Sequence, residues 1–183
     1  MRASWNRALA ACVGLLLLAP IADAGSPAEL RARVQLAVHD YRWISTDPKV
    51  VAAVREYNAN KPAEAQAMTD EKWKSLPLLD SFVRGLSKNP LAEYLKTRKT
   101  PVTSELFVNG ADGTKVAILN KPTLWSHKGQ QKHEAPMAGK IWIGPPEIDE
   151  STGTQEVQAG LPVLDNGKPI GSVVIGLQVS RFR

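Results

Sequence analysis

Leu161-Pro162-Val163-Leu164-Asp165-Asn166-Gly167-Lys168-Pro169-Ile170-Gly171-Ser172-Val173-Val174-Ile175-Gly176-Leu177-Gln178-Val179 is the stretch on which the fold turns. Asp165-Asn166-Gly167 is a turn signal, because Asn and Gly tolerate the backbone conformations that a tight hairpin needs. Before it, Thr154 to Val163 alternates polar and apolar residues, the period of a strand with one buried face. After it, Pro169 to Val179 is rich in Val and Ile, which fit a pleated surface. Two strands joined so tightly must run antiparallel.

Reading back toward the N-terminus adds three more strands. Ile141-Trp142-Ile143 is a third, closed by Gly144-Pro145-Pro146, where proline cannot donate to a ladder. Leu106-Phe107-Val108 and Val116-Ala117-Ile118-Leu119 flank Asn109-Gly110-Ala111-Asp112-Gly113, which reads as a hairpin with an Asp-Gly turn. Between that hairpin and the third strand, Lys121 to Met137 is long, polar and aromatic, with no clean period. Five strands in meander order are expected.

The first half of the chain is helical. Ser26-Pro27, Asp47-Pro48 and Asn89-Pro90 each pair a capping side chain with proline at the first helical position, where its missing N–H costs nothing. After Ser26, Leu30, Val34, Val38, Tyr41 and Ile44 form one apolar stripe, which predicts a single long helix from Ser26 to Ser45. Val50, Val51, Val54 and Tyr57 mark a second helix. Lys61 to Ala67 reads as a loop or weak helix, Leu76 to Leu86 as a short helix, and Pro90 to Lys99 as another. Helices followed by strands give an antiparallel α+β domain.

Composition fits one globular domain, with 43% hydrophobic and 22% charged residues among 183. The N-terminus reads as a leader. Arg2 and Arg7 precede an apolar run from Ala8 to Ala19, and Ala22-Asp23-Ala24 has the small-x-small form of a cleavage site. The run is too short to span a bilayer as a helix. Residues 1–24 are therefore expected to be a signal peptide, and 25–183 one exported, periplasmic domain. Cys12 lies inside the leader, ahead of the leucines, so no disulfide is expected. Lys and Arg exceed Asp and Glu by 23 to 18. Their scatter lacks the basic stripe of a nucleic-acid binder, so no nucleic acid is expected.

Several strings resemble the PDC/Cache group of PAS-like extracytoplasmic sensor domains. They are Asp47 to Asn58, Asp70-Glu71-Lys72-Trp73, Glu105-Leu106-Phe107-Val108 with Asp112-Gly113 and Val116-Ala117, and Asp149-Glu150-Ser151-Thr152 followed by Leu161 to Val179. The resemblance spans about residues 27–180. It implies a PAS-like Cache domain, with a long N-terminal helix and short helices packed on a five-stranded antiparallel sheet. It also implies a small-molecule site between the sheet and the 121–137 connection. Relatives carry a Ser-Asp-Tyr-like string there, whereas this chain has Pro122-Thr123-Leu124-Trp125. The aromatic is kept and the acid is not, which weakens the case for an amine ligand. Ser126, His127, Lys128, Lys132 and His133 make the segment basic, which suits an anionic ligand.

The candidate ligand-binding residues are thus Trp125, His127, Lys128, His133 and Trp142. The competing reading of both tryptophans is ordinary core packing, since indoles serve both roles. His127, His133 and Glu134 lack the spacing and the fourth ligand of a zinc site, so no metal and no cofactor are expected. Ser104 and Ser126 sit in no nucleophile elbow. Glu147, Asp149 and Glu150 fit a solvated turn, and no enzyme is expected. The chain closes at Arg181-Phe182-Arg183 directly after the last strand, with no second span, kinase or chemotaxis module in it. The expectation is a freestanding sensor that hands its ligand occupancy to a membrane receptor or other signalling protein, through packing of the Ser26–Ser45 helix against that partner or a second copy. The alternative is a structural or adaptor protein with the same fold and an empty pocket.

Overall fold

Capping side chains start the helices where the sequence places them. Ser26 Oγ accepts from the Glu29 N–H, Asp47 Oδ1 from Lys49 and Val50, and Asn89 Oδ1 from Ala92. The computed structural model describes residues 26–149 and 153–182. The expected signal peptide with Cys12, and Glu150-Ser151-Thr152, lie outside the described residues.

The first helix, α1, covers Pro27–Asp40 and stops five residues short of the expected end at Ser45. The chain tightens there into a 3-10 turn, Arg42–Ser45. The cause is Tyr41, which is 1% exposed. Its hydroxyl lies 2.5 Å from Thr103 Oγ1 and accepts the Thr100 N–H, pinning the chain to the sheet before the helix can continue. Then follow α2 (Pro48–Ala59), α3 (Ala63–Gln66), α4 (Asp70–Ser75), α5 (Ser81–Lys88) and α6 (Pro90–Lys96). The expected helix from Leu76 to Leu86 is shifted to α5, because Asp80 caps it through the Phe82 N–H.

The strands are β1 (Thr103–Asn109), β2 (Lys115–Ile118), β3 (Trp142–Asp149), β4 (Thr154–Asp165) and β5 (Lys168–Gln178). Their order is β2-β1-β5-β4-β3. The expected meander is therefore corrected: β5 inserts between β1 and β4. Both edges of β5 are paired, with Val174 opposite Phe107 on one side and Gly160 on the other. Its buried Val-Ile run is the pattern of such a central strand. β3 is longer than Ile141–Ile143 because Pro145 and Pro146 fall at a register shift on an edge strand, where proline is tolerated.

The two faces of the sheet differ in chemistry. One carries Leu161, Val163, Val173, Ile175 and Leu177 and packs under Val34, Val38, Ile44, Val50 and Val54 of the helical layer, all buried. The other face carries the connection between β2 and β3. That segment, expected to be without regular structure, contains a helix, α7 (Gln131–Met137). α7 rests on Gly160, where any Cβ would overlap the Lys132 carbonyl. Among the described residues, no helix is long and apolar enough to cross a membrane.

Candidate functional site

Where the connection leaves β2, it stands off from the sheet and leaves an open polar cleft of about 720 Å³. Its wall is Asn120, Lys121, Pro122 and Thr123. Its floor is the sheet itself, with Glu105 from β1 and Glu156 and Gln158 from β4. Lys74, Lys99, Lys121 and Arg181 bring positive charge to its lining.

Strand alternation explains the floor. Glu156 pairs with Gln178 and Gln158 with Gly176, and Gly176 also pairs with Glu105, so these side chains share one face. The Gln158 amide N–H group donates to Glu105 Oε2 at 3.0 Å and to Glu156 Oε1 at 3.4 Å. Ser104, brought alongside by the register shift between Thr103 and Glu105, donates its hydroxyl to Glu156 Oε2. On the other side, Gln158 Oε1 accepts from Lys132 Nζ at 2.9 Å. One amide thus links both floor carboxylates to α7.

Beyond Lys132 the same sheet face becomes fully buried and basic. Lys115 is 0% exposed, and its Nζ reaches Asn109 Oδ1 at 2.9 Å and His127 Nδ1 at 2.6 Å. Asn109 donates to Ser172 Oγ, which stands 2.8 Å from His133 Nδ1. His133 Nε2 faces the Ala111 carbonyl, which can only accept, so the proton sits on Nε2 and Nδ1 accepts from Ser172. The chain of donors then runs one way, from Lys115 through Asn109 and Ser172 to His133. Phe107 stacks on His127 at 4.9 Å between centroids.

Burial governs the titration of this cluster. It holds Lys115 well below the ordinary lysine value, with Glu105 opposing and Lys132 reinforcing the shift. It pushes His127 down to about 2, helped by the positive fields of Lys115, Lys132 and His133. His133 is lowered for the same first reason. A buried ammonium costs free energy unless it is paired or loses its proton, so the cluster favours neutral groups.

The five residues singled out from sequence are not one constellation. His127 and His133 come together through Lys115, Asn109 and Ser172, buried rather than solvated. Trp125 is 2% exposed and packs on Trp73 and Phe82, at 5.4 and 5.3 Å between centroids, with its backbone N–H donating to Asp70 Oδ1. Trp142 is half-buried on β3, its ring lying back over Gly144. Lys128 is exposed. Among the described residues, no three His, Cys, Asp or Glu side chains are grouped to hold a metal ion. Sequence reading missed Glu105, Lys115, Glu156, Gln158 and Ser172. Only Glu156 and Gln158 had a signal, as alternate polar positions in β4.

The strand order, with helices on one face and a covering connection on the other, defines a PAS-like fold. No protein-family model matches the sequence, and no curated protein matches it. Among solved structures, the chain is similar to the sensor domain of E. coli DcuS, at 16% identity and TM-score 0.51, over 84% of this chain and 93% of that one. It is also similar to the sensor domain of the V. cholerae histidine kinase DctB, at 14% identity and TM-score 0.49, over 84% of this chain and 53% of that one. A third likeness is the ligand-binding domain of the Campylobacter jejuni chemoreceptor Tlp3 in complex with 4-methylisoleucine, at 12% identity and TM-score 0.42, over 82% of this chain and 55% of that one. The chain spans about half the length of the DctB and Tlp3 domains. DcuS, matched along nearly its whole length, carries the comparison: the fold is that of the PDC/Cache sensor domains.

Proposed function

We propose that the protein is an exported, periplasmic and non-catalytic sensor module that binds a small molecule and passes its occupancy to a signalling partner. The observation that carries this reading is the open polar cleft between the sheet and the start of the β2–β3 connection, about 720 Å³ in volume. That volume suits a small ligand. The signal-peptide features of residues 1–24 support export, and the sensor domains it resembles support the module's class.

The ligand carries an anionic group, met by Lys74, Lys99 and Arg181, and a hydrogen-bond donor or ammonium, met by Glu105 and Glu156. A donor that takes over the two carboxylates competes with the Gln158 amide. Lys132 then loses a partner that holds α7 in place. Binding thereby shifts α7, and a ligand can drive this only through unequal affinity for the two arrangements. Exposed Leu36 on α1 gives that helix an apolar contact for a receptor or a second copy.

The test is thermal unfolding of the purified protein against carboxylates, amino acids, purines, amines and inorganic anions. A ligand at 100-fold over its dissociation constant adds ~2.7 kcal/mol, which is a rise of roughly 5 °C or more for a domain of this size. One chemical class should produce it. No rise with any class would overturn ligand sensing and favour a structural or adaptor protein.

A further inference from the structure

A second concavity lies among the helices. It is a groove of about 600 Å³ between α2, α3, α5 and the start of α6. Tyr57, Phe82, Leu86, Leu91 and Val116 give it apolar walls. At Gly85, which also lines it, an added Cβ would meet nothing within 4 Å, so the groove is open there rather than filled by its own side chains.

Two features say what would occupy it. The first is charge. The charged residues lining the groove are Glu56 and Glu64, both exposed, in a chain whose formal net charge is +5. Carboxylates at the rim of an apolar groove favour a cation over an anion of the same shape. The second is size. The volume falls in the range of small-molecule sites, which are mostly apolar with a few placed polar groups.

We infer that this groove is a second ligand site, distinct from the sheet-face cleft, for a small amphiphilic cation. The apolar body lies against Phe82, Leu86 and the open space at Gly85. The ammonium or guanidinium head sits between Glu56 and Glu64. The site has a physical link to the connection. Phe82 packs on Trp73 and Trp125, at 6.4 and 5.3 Å between centroids, and Trp73 Nε1 donates to the Pro122 carbonyl. Pro122 lines the sheet-face cleft. A body pressed on Phe82 is therefore felt at two indoles.

That link supplies the readout. Phenylbutylammonium is titrated into the purified protein while the indole N–H resonances are followed by NMR, with phenylbutyrate as the charge-reversed control. The Trp73 and Trp125 signals are expected to move saturably with the ammonium probe while Trp142 stays in place. Phenylbutyrate should bind at least tenfold more weakly. Gly85→Leu, which fills open space on an exposed helical position, should abolish the shift and leave the unfolding midpoint unchanged or higher. Glu56→Gln with Glu64→Gln should keep binding of the apolar body and erase the preference for the ammonium. No saturable shift, equal binding of both probes, or a shift that survives Gly85→Leu would overturn the assignment. A shift that survives Gly85→Leu would place the probe in the sheet-face cleft instead, since Pro122 there touches Trp73; Thr123→Trp, which blocks only that cleft, tells the two sites apart.

Discussion

Lys115 and His127 set the acid response of the sheet face. Folded His127 keeps its neutral form down to about 2, against an ordinary value of 6.5. Below 6.5 the unfolded chain takes up a proton that the folded chain refuses, so stability falls as the pH drops through that window. Between pH 7 and 5 this one group removes about 2 kcal/mol, and His133, shifted the same way, adds to the slope. His127→Asn keeps a side-chain acceptor for Lys115 without the titration. Urea unfolding at the two pH values should show a clearly smaller loss in the variant, and an equal loss would contradict the assignment. Trp125→Ala tests a different role. A ring packed on Trp73 and Phe82 is core, and its truncation should cost about 3–5 kcal/mol in the same assay; a loss under 1 kcal/mol would contradict that role. These roles were only partly legible in the sequence. His127 and His133 stood out as rare residue types, but their partners Lys115, Asn109 and Ser172 lie on three different strands. Nothing in local spacing joins them.

Gly160 is where the β2–β3 connection is seated. The Lys132 carbonyl and Pro136 ring occupy the space a side chain would need there. Gly160→Val should lift α7, cost ~1–3 kcal/mol through overpacking, and expose the segment to protease. Limited trypsin digestion should then cut at Lys128 and Lys132 faster than in the wild type, while unchanged cutting would show that α7 is held elsewhere. The strong helix starts were read correctly because Ser26, Asp47 and Asn89 act through local hydrogen bonds. α7 was not, because seven residues with a proline near the end carry no helical period. The break after α1 was also hidden, since Tyr41 fits the apolar stripe and stops the helix only through distant Thr100 and Thr103.

Across the molecule, the sheet sorts polar from apolar, and that sorting makes the cleft. The five strands and their antiparallel sense followed from period and turns. The placement of β5 beside β1 did not, because a pairing so distant in sequence leaves only the fully buried character of β5 as its trace. The cleft depends on that pairing, which sets Glu105 beside Gln158. The most direct measurement is a calorimetric titration of the same ligand panel into the wild type and into Thr123→Trp. Thr123 is an exposed residue of the cleft wall, so an indole there blocks the opening without touching the core. The account predicts that one chemical class binds the wild type and binds the variant at least tenfold more weakly. Equal affinity in the two proteins, or no binding of any class to the wild type, would contradict it.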